Sequence, residues 1–235
     1  MNHERRLIVA LDTKSYDDAA RLVEALSPRV AWFKIGSKLF TGEGPRVCRL
    51  VKDANASLFL DLKYHDIPNT VYGAVESAMG LGCDMLTLHA SGGPDMLRSA
   101  REAATAAGRP EAILLAVTVL TSFDAQAFAS MFGSTRGGAD MVTSFAVMAR
   151  EAGMSGVVAS AHELRAIKTR VGEDFVVVTP GIRPGPAAGD DQIRVVTPEA
   201  AIRDGADYIV VGRPIIAAPD PAAAADEILA RIAPG

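Results

Sequence analysis

The chain is short of cysteine, of long apolar runs and of clustered positive charge, and each shortage removes a class of protein. Cys48 and Cys83 are its only cysteines. Both stand in apolar contexts, which argues against a disulfide framework or a zinc cluster and for two buried free thiols. No apolar stretch approaches the roughly 20 residues needed to span a bilayer. The opening Met1-Asn2-His3-Glu4-Arg5-Arg6 is polar and runs straight into a strand-like segment, so no signal peptide is expected. A reducing, cytoplasmic compartment is the simplest expectation. The net charge is −4, with no basic block and one tryptophan. A nucleic-acid-binding module is disfavoured, while a local phosphate site stays possible. No GxGxxG follows the first strand-like run, which ends in Leu11-Asp12-Thr13-Lys14. An open doubly wound sheet therefore ranks second. No Pro/Gly/Ser-rich linker interrupts the chain, so residues 1–235 read as one domain.

What is present is 235 residues, 49% hydrophobic, in which short β-rich runs alternate with longer helix-like stretches. The expected strands are Leu7–Leu11, Val30–Ile35, Ser57–Leu62, Met85–His89, Ala112–Leu120, Gly156–Ala159, Phe175–Pro180 and Tyr208–Gly212. Their apolar residues are continuous rather than alternating, as in parallel strands covered on both faces. Between them the spacing predicts helices over Tyr16–Leu26, Pro45–Ala54, Val71–Leu81, Pro94–Ala107, Ala139–Ala152, His162–Arg170 and Pro198–Asp204, with a closing helix at Pro221–Ile232. Ser15 is a plausible N-cap, and Gly82, Gly108 and Gly153 stand where helices would stop. Eight such units fit a closed (β/α)₈ barrel of the TIM type, an α/β fold.

In such a barrel, chemistry sits at the C-terminal ends of the strands. Those ends carry Asp12, Lys34, the group Asp61, Lys63 and Asp66, then His89, Thr121 and Ser122, Pro180-Gly181-Ile182-Arg183, and Gly212-Arg213. The densest group lies in Asp61-Leu62-Lys63-Tyr64-His65-Asp66-Ile67-Pro68-Asn69-Thr70. Strand alternation would project Asp61 and Lys63 side by side, and opposite charges in a poorly solvated place are costly unless paired or used. Gly212-Arg213, with Pro214 in the first turn, reads as the start of the last helix, able to hold an anion. The segment from Pro184 to Gln192 has the composition of a loop and lies between Arg183 and Gln192, where it could close over a phosphate.

These residues resemble the orotidine 5′-phosphate decarboxylase family. The likeness rests on Asp61-Leu62-Lys63 followed by Asp66-Ile67-Pro68-Asn69-Thr70. It extends through Phe33-Lys34-Ile35-Gly36, Thr87-Leu88-His89-Ala90, Val117-Thr118-Val119-Leu120-Thr121-Ser122, Pro180-Gly181-Ile182-Arg183 and Val210-Val211-Gly212-Arg213, in that order along the chain. It implies conversion of orotidine 5′-monophosphate to uridine 5′-monophosphate and carbon dioxide, the last step of de novo UMP synthesis, with no metal and no organic cofactor. It also implies roles. Lys63 would donate the proton, Asp61 would face the substrate carboxylate, and Lys34 would bond the ribose and hold the charged array. Asp12 would bind a ribose hydroxyl, and Thr121 or Ser122 would contact the pyrimidine. Arg183, Gln192, Gly212 and Arg213 would hold the phosphate, with Pro180 among the substrate-binding residues and His89 in support. Asp66, Ile67 and Thr70 would reach into the neighbouring subunit of a homodimer.

Two other readings compete. Magnesium-dependent sugar-phosphate enzymes on the same barrel share the Asp-x-Lys-x-x-Asp spacing. They carry an acid at the end of strand two, where this chain has Lys34, and Mg²⁺ wants oxygen ligands. A non-catalytic nucleotide-phosphate sensor would be expected to lack one or more of Lys34, Asp61, Lys63 and Asp66, and all four are present.

Overall fold

Leu7, Ile8, Val9 and Ala10 are all buried, yet they enter two different cores. Leu7 and Val9 pack outward against helices, while Ile8 and Ala10 point into an inner cluster with Trp32, Phe59, Met85 and Leu115. This division explains the continuous apolar runs: alternate residues face opposite sides of a strand, and here both sides are covered. Burying each Leu- or Ile-sized side chain contributes about 1.5–3 kcal/mol.

The computed structural model describes residues 5–120, 130, 138–185 and 196–233. Its strands are β1 (Leu7–Ala10), β2 (Trp32–Gly36), β3 (Ser57–Tyr64), β4 (Met85–His89), β5 (Ile113–Val117), β6 (Gly156–Val158), β7 (Val176–Thr179) and β8 (Tyr208–Val211). They form a closed parallel barrel in sequence order, with β1 pairing β8 through Ile8 opposite Val210. The helices are α1 (Tyr16–Leu26), α2 (Ser37–Glu43), α3 (Arg46–Asp53), α4 (Pro68–Gly80), α5 (Gly93–Ala106), α6 (Gly138–Glu151), α7 (Leu164–Val171), α8 (Pro198–Arg203), α9 (Arg213–Ile216) and α10 (Pro221–Ile232). The expected (β/α)₈ barrel is thus the observed fold. Ser15 caps α1 by accepting the Asp18 N–H, and Gly82, Gly108 and Gly153 take φ of 79°, 73° and 81° where helices stop.

Three local expectations are corrected. Helix α2 was not anticipated, because Leu39 is its one buried residue and gives no apolar period. The helix starting at Arg213 is a single short turn, α9, and a separate helix follows, capped by Asp220 through the Ala223 N–H at 3.0 Å. Pro219 and Pro221 bias the residues before them away from helix. Finally, β5 ends at Val117 rather than Leu120. The apolar run continues because Val119 and Leu120 line a cavity instead of extending the ladder.

A brace recurs at the bottom of the barrel. The residue just before β4, β6 and β8 is Asp84, Ser155 and Asp207. Each accepts a strand N–H from the preceding strand: Leu58 at 2.8 Å, Leu114 at 3.1 Å and Val177 at 2.7 Å. Each also accepts from a cation on the helix before that strand: Lys52 at 2.7 Å, Arg101 at 2.7 Å and Lys168 at 2.8 Å. Two residues earlier stand Gly82, Gly153 and Gly205, all with positive φ, and each cation's stem passes over its glycine. The brace fixes register at the rim opposite the chemistry. Lys168 is 5% exposed, so Asp207→Ala, which removes its counter-charge and leaves it only the Glu173 and Phe175 carbonyls, is expected to lower stability by about 3 kcal/mol in urea titration. The geometry of the opposite rim should change little in the fraction that stays folded.

Candidate active site at the mouth of the barrel

At the C-terminal end of the barrel, the inward positions divide into two walls. The half built from β1 to β4 brings Asp12, Lys34, Asp61, Lys63 and Thr87, with Phe59 of β3 its apolar member in the cavity lining. The half built from β5 to β8 brings Val117, Val119, Val158, Val178, Pro180 and Val210. Together these halves enclose a cavity of about 160 Å³, lined on the charged side by Lys34, Asp61 and Lys63.

The charged wall is a connected row. Lys34 Nζ lies 3.3 Å from Asp61 Oδ2 and 3.5 Å from Asp12 Oδ1. Lys63 Nζ lies 2.7 Å from Asp61 Oδ1. Thr87 donates its hydroxyl to the same Oδ1 at 3.0 Å. Burial alone would raise the Asp61 carboxyl, but the charges of Lys34 and Lys63 and the hydrogen bonds from Lys63 and Thr87 hold it below the usual carboxylate range. Asp61 is therefore ionised at neutral pH and anchors two cations. Burial, followed by the charges of His65 and Lys63, holds the His89 imidazole below its ordinary value. The His65 and His89 rings sit 5.3 Å apart at the edge of the row.

Lys63 reaches the cavity by a route that alternation does not describe. Its φ is 52°, in the left-handed region, and the β3–β4 register shifts between Leu60 and Tyr64. A non-glycine residue there carries about 1–2 kcal/mol of strain. The Lys63 N–H donates to Thr87 Oγ1 at 3.0 Å. Two glycines leave room for the row. A Cβ on Gly36 would stand 3.3 Å from Lys34 Nζ, and one on Gly212 would stand 3.3 Å from Asp12 Oδ2.

The other expected residues fall in different places. Asp66, Ile67 and Thr70 are exposed, and Asp66 Oδ1 accepts the Ile67 N–H at 2.7 Å. Within this chain Asp66 forms no ion pair among the described residues. Ile67 caps the start of α4 and is 66% exposed. Pro180 lines the cavity. Gly212 and exposed Arg213 begin α9 beside Asp12. Arg183 is buried, with Nη1 donating to Ile182 O at 3.0 Å. Thr121, Ser122 and Gln192 lie outside the described residues. Thr87 was not singled out from sequence except within a motif. Its signal was a hydroxyl two residues before His89, on the same strand face.

The donor set does not suit a divalent cation. Asp61 Oδ1 already accepts from Lys63 and Thr87, Oδ2 faces Lys34, and a cation would have to displace an ammonium to reach either.

Comparison with known proteins places the chain in a family. A model of the family described as "Orotidine 5'-phosphate decarboxylase / HUMPS family" matches residues 5–228. An orotidine 5′-phosphate decarboxylase of Moorella thermoacetica is 49% identical over 236 aligned positions, covering 99% of this chain and 94% of the relative. One from Legionella pneumophila strain Corby is 49% identical over 216, covering 92% and 94%. The crystal structure of the Lactobacillus acidophilus enzyme of that name superposes with a TM-score of 0.86 at 36% identity, covering 97% of this chain and 99% of that one. The shared name is that of a carboxy-lyase, and this chain is an enzyme of that class. With a family match across nearly its full length and a barrel that superposes on a solved member, the chain belongs to the orotidine 5′-phosphate decarboxylase / HUMPS family.

Proposed function

We propose that the chain decarboxylates orotidine 5′-monophosphate to uridine 5′-monophosphate, the closing step of UMP synthesis, with no metal and no organic cofactor. The observation that carries this reading is the Lys34–Asp61–Lys63 row facing an apolar wall across one cavity. Loss of carbon dioxide from carbon 6 leaves an electron pair in the ring plane, outside the reach of the ring π system. Fixed positive charge must stabilise it, and the Lys63 ammonium does so before delivering its proton to that carbon. A compact ammonium on a long stem suits both tasks. Asp61 positions the ammonium and stands beside the departing carboxylate. Carbon dioxide is neutral and weakly hydrated, so the Val and Pro wall accepts it more readily than the anion it came from. Lys34 and Asp12 take the ribose hydroxyls, and Thr121 or Ser122 the pyrimidine.

In this reading Gly212, Arg213, Arg183 and Gln192 hold the phosphate, and binding there drives closure and water exclusion at the far end. Arg213→Ala is expected to raise KM for the nucleotide about tenfold or more, with a smaller change in kcat. Steady-state kinetics with phosphorylated and unphosphorylated orotidine separates the two effects.

The working unit in this proposal is a homodimer of single-domain subunits, residues 1–235, in the cytoplasm. No described helix is long and apolar enough to cross a membrane. Asp66, Ile67 and Thr70 complete the partner's pocket. Their exposure at the mouth, with Ile67 the one large hydrophobic exposed among the described residues, supports this. The magnesium-dependent branch of the family is distinguished by chelation. Purified protein in excess EDTA should consume orotidylate, followed by its absorbance, at the untreated rate. Loss of activity restored by Mg²⁺ would reject the metal-free chemistry.

A further inference from the structure

The bend that delivers Lys63 needs an explanation of its own. Residue 63 is not glycine, yet it sits at φ 52°, where the β3–β4 ladder changes register. A backbone in that region persists when its surroundings over-determine it. The group that meets its N–H is the hydroxyl of Thr87, which is fully buried, at 3.0 Å. The same oxygen donates to Asp61 Oδ1 at 3.0 Å, and that carboxylate oxygen also holds Lys63 Nζ at 2.7 Å. A threonine hydroxyl has one proton to give and lone pairs to accept with. An ionised carboxylate only accepts, and a backbone N–H only donates, so the directions of both bonds are fixed by chemistry. The three contacts close a ring from the Lys63 backbone through Thr87 and Asp61 to the Lys63 ammonium.

We propose that Thr87 is a positioning residue for the reaction, one hydroxyl setting the Lys63 backbone on one side and the Asp61 carboxylate on the other. It touches no substrate in this reading, which rests on the decarboxylase function proposed above. Its effect is on where the ammonium points. A side chain on a left-handed residue has its direction set by the backbone, and an error of about 1 Å at a reacting centre costs on the order of 100-fold in rate. The groups that face Asp61 are Lys34 from β2, Lys63 on its own strand, and Thr87 from β4. Asp12 lies beyond Lys34, and His89 and His65 stand at the edge.

Thr87→Val keeps the branched shape and removes the hydroxyl; Thr87→Ser keeps the hydroxyl and removes the methyl. With orotidylate as substrate, Thr87→Val is expected to lose about 10- to 100-fold in kcat with KM within about threefold, and Thr87→Ser to stay within about threefold of the wild type in both. A purely packing role predicts the reverse order, with the serine variant the weaker. Thr87→Ala replaces Thr87→Val if thermal melting shows that the valine variant does not fold. A hydroxyl-free variant with wild-type kcat, or a serine variant as impaired as the valine one, overturns the proposal.

Two readouts hold even without turnover. Carbon-13 titration of the Asp61 carboxyl should move upward in Thr87→Val and stay in place in Thr87→Ser, and the Lys63 amide should exchange faster in Thr87→Val alone. If the wild-type protein does not consume orotidylate, the reaction assignment fails by itself. These two measurements then still decide whether Thr87 holds the pair, and unchanged values in Thr87→Val reject that role.

Discussion

Replacing Lys63 with alanine is expected to abolish decarboxylation, with kcat lower by about 10⁵-fold or more, because in the proposed mechanism one ammonium supplies both the field at carbon 6 and the proton. The protein should remain folded. The Lys63 side chain is 36% exposed in the cavity wall, and Asp61 keeps its contacts to Lys34 and Thr87 when the ammonium is gone. Single-turnover loss of orotidylate absorbance, with circular dichroism to verify the fold, measures both. Turnover near the wild-type rate would remove Lys63 from the mechanism and with it the reason for the charged row.

The second large effect comes from mixing two inactive variants. Asp66 lies at the mouth but pairs with no cation of its own chain among the described residues, and the proposed homodimer gives it the partner's Lys63. Lys63→Ala and Asp66→Ala should then each be nearly dead alone. In a two-fold dimer, a hybrid of the two has one pocket with both residues intact and one pocket missing both. Random exchange at equal concentrations makes half the dimers hybrid, so about a quarter of the wild-type activity should return. The measurement is activity against time after mixing, with subunit exchange followed independently by a tag. Exchange without recovery would mean that each pocket is built from one chain.

Much of this architecture was legible in the residues. Apolar runs such as Leu7–Ala10 and Met85–His89 reported strands buried on both faces, and Ser15, Gly82 and Gly153 marked helix ends through local preferences. Lys34, Asp61 and Lys63 were legible as a group because charge at the end of a buried run is conspicuous. Helix α2 was not legible, since Leu39 alone carries its burial. Nor was the end of β5, since Val119 and Leu120 are apolar for the sake of the cavity wall rather than the ladder. Thr87 looked like an ordinary strand residue until its partners were known.

By itself the sequence determined the order of strands and helices and the rim on which charge would gather. Those properties follow from periodicity and capping, which act over a few neighbouring positions. Only the tertiary structure decided that Lys63 turns through a left-handed backbone, that Thr87 joins its N–H to Asp61, and that β1–β4 carry the charge while β5–β8 offer an apolar face. Each of these depends on the register between strands some 25 residues apart or on the closure of β1 against β8, and no local preference encodes a distance across a barrel.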